Sequence, residues 1–195
     1  MNERSLKQMA AAASLLLPGV ALAHPGHTEA PALLAGMLHP FSGADHLLLM
    51  LGLGIWASML PAGRRWVGPI AALLAMVLGV VWGAAGSGLP GLELLLAGSL
   101  LLMGGVLVSA LRTAPLLTGL AVTVLAGLHG FAHGVEMVPG TSFWHYALGL
   151  SIASLALQIT GMLLGRIARR RLGERTRLLG LPLLATGLWM MLGGA

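Results

Sequence analysis

The sequence predicts an all-α membrane protein: a six-transmembrane-helix bundle with a broken first helix, after a cleavable signal peptide. Three observations lead there. Of 195 residues, 57% are hydrophobic and only 9% are charged, too little charge to cover a soluble domain of this size. Apolar stretches of about 20 residues recur along the chain, and each can cross a hydrocarbon core of about 30 Å as a helix. The basic residues of the mature chain are confined to short loops between those stretches, the pattern that sets orientation in a bilayer.

Residues 1–23 have the form of a secretory signal. Arg4 and Lys7 supply a basic start, Met9 to Val20 an apolar run, and Ala21-Leu22-Ala23 an A-x-A cleavage site. Cleavage after Ala23 leaves His24 as the first residue of a single domain spanning 24–195. The alternative, an uncleaved first helix, suits a longer run without Pro18 inside it. A polar stretch from His24 to Pro31 precedes the spans.

The six spans are expected near Ala32–Leu60, Trp66–Ala85, Leu92–Leu111, Pro115–Glu136, Phe143–Gly165 and Thr176–Gly193. Turn-forming runs separate them: Pro61-Ala62-Gly63, Leu89-Pro90-Gly91 and Val138-Pro139-Gly140. The first span exceeds what a straight crossing needs, and Pro40 and Gly43 place a break inside it. Broken helices occur at membrane depth where backbone lines a cavity or an ion site. Glycines four residues apart (Gly79 and Gly83, Gly130 and Gly134, Gly161 and Gly165) suit close helix contacts, although such pairs also arise by chance among 29 glycines.

Arg64 and Arg65 lie in the first loop, Arg112 in the third, and Arg166, Arg169, Arg170, Arg171, Arg175 and Arg177 in the fifth; the second and fourth have no Lys or Arg. The positive-inside rule makes that side cytoplasmic and both mature termini extracytoplasmic, which agrees with an exported signal peptide. Arginines so dispersed form no groove for phosphates, so the formal charge of +5 indicates no nucleic-acid partner. The absence of cysteine excludes disulfides and thiolate chemistry.

Ionisable side chains in a bilayer are costly and mark function by default. Here they are His39, Asp45 and His46 in the first span and His129, His133 and Glu136 in the fourth. Glu93 and His145, near the starts of the third and fifth spans, are accessory candidates. His46 and His129 each lie about 14 residues from the cytoplasmic end of their span, about 21 Å at a helical rise of about 1.5 Å, so they share a depth. His129, His133 and Glu136 are spaced i, i+4, i+7 on one helical face. Two imidazoles a turn apart can ligate one metal ion, and the carboxylate extends the stripe. The plainer alternative is histidines bonded to carbonyls of neighbouring helices. For Asp45 it is a capping box with Ser42.

These residue types suit a divalent transition-metal cation; imidazole and carboxylate without thiolate fit nickel, cobalt or zinc, and affinity order does not choose among them. Asp45 and Glu136 would neutralise the ion as it sheds water, and His24 and His27 could capture it at the mouth or simply belong to a solvated tail. Met50 lies one turn below His46, where filler is the plainer role. Trp66 and Trp144 suit the membrane interface, and Gln158 suits either an inner exit or a bond across helices.

The run His39-Pro40-Phe41-Ser42-Gly43-Ala44-Asp45-His46 resembles the H-x5-D-H motif of the HupE/UreJ family of nickel transporters. Leu128-His129-Gly130-Phe131-Ala132-His133-Gly134-Val135-Glu136 resembles that family's F-H-G-x-A-H-G-x-E motif, with Leu128 where Phe is frequent. The resemblance covers the whole chain. It implies a permease carrying nickel, or cobalt, through the bacterial inner membrane, with no permanently bound cofactor and a link to hydrogenase or urease maturation. It places His39, Asp45, His46, His129, His133 and Glu136 in the site. With no nucleotide-binding motif in the chain, the driving force is expected to be external. The competing readings are an intramembrane zinc hydrolase, which lacks an H-E-x-x-H pattern here, and a sensor or assembly subunit that holds metal without moving it.

Overall fold

A computed structural model describes residues 29–86, 88–109 and 115–193. The signal peptide expected over 1–23, His24, His27 and Arg112 lie outside the described residues. Within them the chain is helical, with no strand. Helix α1 spans Glu29–Leu38 and is followed by a 3-10 turn, His39–Phe41; α2 spans Ala44–Met59, α3 Val67–Ala84, α4 Leu92–Ser109, α5 Pro115–Val135 and α6 Phe143–Leu172. A second 3-10 segment, Gly173–Gly180, leads into α7, Leu181–Met191.

Four helical stretches are long and apolar enough to cross a membrane: Val67–Ala84, Leu92–Ser109, Leu116–Val135 and the run beginning at Phe143. Their outer faces carry exposed Leu74, Leu78, Leu120, Val124, Leu148 and Leu163, an apolar coat suited to lipid and out of keeping with water. The other apolar helices are shorter. At 11 residues α7 rises about 16 Å, and the first part of the expected sixth span, from Thr176 to Gly180, belongs to the 3-10 segment instead.

Local chemistry explains the boundaries. Pro40 has no N–H to donate and disfavours α geometry at His39, and the Ser42 hydroxyl donates to the His39 carbonyl at 2.6 Å. The N-cap of α2 is Gly43, in extended conformation and without a side-chain cap bond, so the Ser42–Asp45 capping box, the plainer alternative for Asp45, does not form. Asp45 sits in the first turn of α2, where the helix dipole favours a negative charge. Helix α6 runs past the expected end at Gly165 to Leu172, because arginine is a good helix former and cations suit a helix C-terminus. It stops at Gly173, whose positive φ of 55° is open to glycine at little cost.

The bundle is built from helix pairs in backbone contact. A Cβ at Gly79 or Gly83 would overlap the carbonyl oxygen of Gly127 or Phe131, and one at Gly130 or Gly134 that of Met76 or Val80, so α3 and α5 touch main chain to main chain. Gly36 and Gly149 play this part between α1 and α6, and Gly54 and Gly161 between α2 and α6. All six glycines of the four-residue pairs therefore stand at close approaches, Gly165 against the Ser58 hydroxyl. Small residues that let backbones meet are the main source of packing energy where lipid removes the hydrophobic drive. Helices α1 and α2 lie one after the other along α6, α1 against Tyr146 to Leu150 and α2 against Gln158 to Gly165. At the far end of α6, Arg65, Arg166, Arg169 and Arg170 line a cavity of about 510 Å³.

Candidate metal centre

The turn after α1, the start of α2 and the end of α5 meet near the N-terminal end of α6, and all six residues singled out in the first and fourth spans come together there. His39 Nε2 lies 3.0 Å from Glu136 Oε2. The His133 ring follows, edge-on to His39 with centroids 4.6 Å apart and to His46 at 4.5 Å. His133 Nε2 and His46 Nδ1 are 2.7 Å apart, a hydrogen bond in which one nitrogen carries the proton. The inner nitrogen of His46, Nε2, meets Ser154 Oγ at 3.0 Å. Beside this row, His129 Nδ1 is 3.8 Å from Asp45 Oδ2, and its Nε2 is 2.9 Å from Ser99 Oγ.

Exposure falls along the row. The Glu136 side chain is 58% exposed and His39 24%, His133 9%, and His46 is fully buried. Four imidazoles and two carboxylates thus lead from an open mouth into the core.

Among the described residues, His39, His133 and Glu136 form a group able to hold a metal ion, their ligand atoms all within 4.8 Å of one another. His133 Nδ1 is buried without a hydrogen-bond partner and lies 3.7 Å from Glu136 Oε2. That gap is too long for a hydrogen bond. It matches two ligands facing each other across one cation, since metal–nitrogen and metal–oxygen bonds of about 2.0–2.2 Å set an upper separation of about 4.2 Å. A buried imidazole nitrogen left unpaired costs about 1–3 kcal/mol, and a cation beside it removes that cost.

The accessory candidates divide. Glu93 is exposed and, with Glu136 and Ala132, lines a cavity of about 320 Å³, so it borders the mouth without joining the ligand group. His145 stands outside that group, its Nδ1 2.8 Å from Ser142 Oγ. The site also contains partners that the sequence does not announce. Ser99 and Ser154 hold the far nitrogens of His129 and His46, and the Tyr146 hydroxyl points to the His133 carbonyl at 3.4 Å. Such outer partners orient imidazoles toward a metal; their one sequence signal is a hydroxyl within an apolar span.

The family model described as HupE / UreJ protein matches residues 12–190. The chain belongs to the HupE/UreJ family. A relative, Protein HupE of Rhizobium leguminosarum bv. viciae, is 33% identical over 162 residues, covering 83% of this chain and 84% of the relative. No solved structure matches. Membership of the HupE/UreJ family and the apolar helices together make this a multi-pass membrane protein, and the family resemblance carried by the two histidine motifs holds.

Proposed function

We propose that this protein is a secondary permease that moves nickel, with cobalt as the second candidate, through the bacterial inner membrane into the cytoplasm to supply hydrogenase or urease maturation. The metal ion is substrate, and no resident cofactor is needed. The observation that carries the reading is the unpartnered His133 Nδ1 facing Glu136 Oε2 at 3.7 Å, with His39 beside them. His39, Asp45, His46, His129, His133 and Glu136 form the ion's track, and the two carboxylates balance its double charge.

In this reading residues 1–23 are removed, 24–195 form the transport domain, and α1 and α2 make one crossing broken at His39–Phe41. Their consecutive placement along the 30-residue α6 supports that crossing. The mouth at Glu136 faces outward, and the arginines, about 34 Å along α6 from Tyr146 to Arg169 at about 1.5 Å per residue, face the cytoplasm. An inside-negative potential contributes about 2.3 kcal/mol per charge per 100 mV, so about 4.6 kcal/mol for a divalent ion. That supports an inward gradient above roughly a thousandfold.

An intramembrane zinc hydrolase fits less well. Glu136 is the only carboxylate in the three-residue ligand group, which leaves that group no second acid to act as a general base. The deciding experiment is nickel entry into proteoliposomes holding the purified protein, with an inside-negative potential imposed. Entry that follows the potential and is lost in His133→Ala supports the permease. Metal-dependent cleavage of lipid or peptide without ion entry would overturn it.

A further inference from the structure

Among the described residues, eight polar ones are buried: His46, Ser58, Ser99, His129, His133, Ser154, Gln158 and Thr176. The three histidines and the serines at 99 and 154 belong to the row described above. Ser58 and Thr176 donate to carbonyls of their own segments, Ile55 and Gly173. Gln158 is the exception. It is fully buried, its Nε2 donates only to the weak acceptor Met50 Sδ at 3.4 Å, and its Oε1 has no partner. Exchanging the two amide ends would leave both unpaired, because a thioether sulfur has no hydrogen to donate to the oxygen. Such an orphan costs about 1–3 kcal/mol in a protein core and has no water to turn to at membrane depth. Leucine would fill a similar volume without that cost.

Its position gives the reason. Met50 follows His46 by one turn on α2, and Gln158 follows Ser154 by one turn on α6; the two helices run side by side in the same direction, with Gly54 against the Gln158 carbonyl and Gly161 against Leu51. The pair His46–Ser154 is therefore succeeded, one turn further from the mouth, by the pair Met50–Gln158. A turn nearer the mouth, Met76 Sδ of α3 accepts from Ser154 Oγ at 3.4 Å. Both methionines are buried.

We propose that Gln158 Oε1, with the sulfur of Met50, forms an inner, charge-neutral station for a dehydrated divalent transition-metal cation that has left the histidine–carboxylate row. The inference rests on the permease reading and deepens it. An amide oxygen and a thioether can replace part of a hydration shell, and without a carboxylate they hold a divalent ion less tightly than the row above. Conduction needs such a site, favourable enough to enter and weak enough to leave.

The test uses full-length protein in proteoliposomes, with nickel as the probe, and reads initial flux and nickel bound per chain. Gln158→Leu should lose at least tenfold in flux while nickel bound at the histidine–carboxylate row is unchanged. Gln158→His, which adds a stronger ligand, should raise the bound nickel by one per chain and slow the flux. Flux in Gln158→Leu within twofold of the natural protein, or unchanged stoichiometry in Gln158→His, would overturn the station. If Gln158→Leu does not fold, Met50→Leu, which conserves volume, decides the matter by the same flux criterion. The two readings fail differently: natural protein that carries no nickel, or His133→Ala that carries it normally, defeats the permease. Normal Gln158→Leu beside a dead His133→Ala defeats only the station.

Discussion

Replacing His133 by alanine tests the metal centre at its middle. The residue joins two parts of the row, with Nε2 at 2.7 Å from His46 and Nδ1 at 3.7 Å from Glu136. Its removal leaves His46 Nδ1 buried without a partner, which should lower stability by about 1–3 kcal/mol. The effect on affinity is larger. Residues that merely orient a ligand cost about 10–100-fold in metal affinity, so a ligand itself should reach the upper end, about 100-fold or about 2.7 kcal/mol. Glu136→Gln keeps size and removes charge, and should lose a similar amount. Independent residues would then give about 10,000-fold in the double variant, whereas ligands of one ion couple by about 0.5–3 kcal/mol. A coupling of about 2–3 kcal/mol, the upper part of that range and the part expected for two ligands of one ion, keeps the double within about threefold of the weaker single. Calorimetric titration with nickel in detergent measures this, alongside thermal unfolding to establish the folded fraction. A folded His133→Ala that binds nickel within threefold of the natural protein, or losses that multiply in the double, would refute the shared ion.

The same geometry makes demands elsewhere in the chain. Asp45→Asn should lose nickel binding yet lower stability by no more than about 1 kcal/mol, the worth of a charge in the first helical turn, because Asp45 makes no side-chain cap bond; a large drop in stability with binding intact would reverse this assignment. Gly83→Ala should destabilise by about 1–3 kcal/mol, since its Cβ would overlap the Phe131 carbonyl oxygen, whereas Gly105→Ala, with open space around it, should be neutral or stabilising; equal unfolding temperatures in the two would be fatal to the packing account. A reporter fused after Ala195 should signal an extracytoplasmic location, and a cytoplasmic signal there would mean an odd number of crossings. N-terminal sequencing of purified protein should begin at His24; a start at Met1 would remove the free histidine terminus.

The candidate residues stood out because lipid makes charge conspicuous: His46, His129 and Glu136 are costly in or beside apolar spans, and the structure brings them together. The i, i+4, i+7 stripe on α5 and the break at Pro40 follow from local geometry, and both stand beside the mouth. Partners across helices were not legible. Nothing local to Ser154 or Ser99 says which histidine each will meet, because that depends on how far the glycines let the helices approach. The end of α6 was misplaced for a related reason. An arginine run marks a membrane boundary by its charge, but the same residues favour helix and suit a helix C-terminus, so Gly173 and not Gly165 ends the element. The capping box at Ser42 does not form because the helix starts one residue later, with Gly43 at its N-cap.

The glycine contacts have a mechanical consequence. Main-chain contact welds α3 to α5, and welds α1 and α2 to α6; the six proposed ligands divide evenly between these two stiff plates. His129, His133 and Glu136 ride on one, and His39, Asp45 and His46 on the other. No single plate holds a complete coordination shell. A slip of one plate past the other by a single helical turn, about 5.4 Å, would dismantle the shell while every weld stayed intact. In the permease reading, a cation held by residues of both plates would bridge the two bodies where they meet.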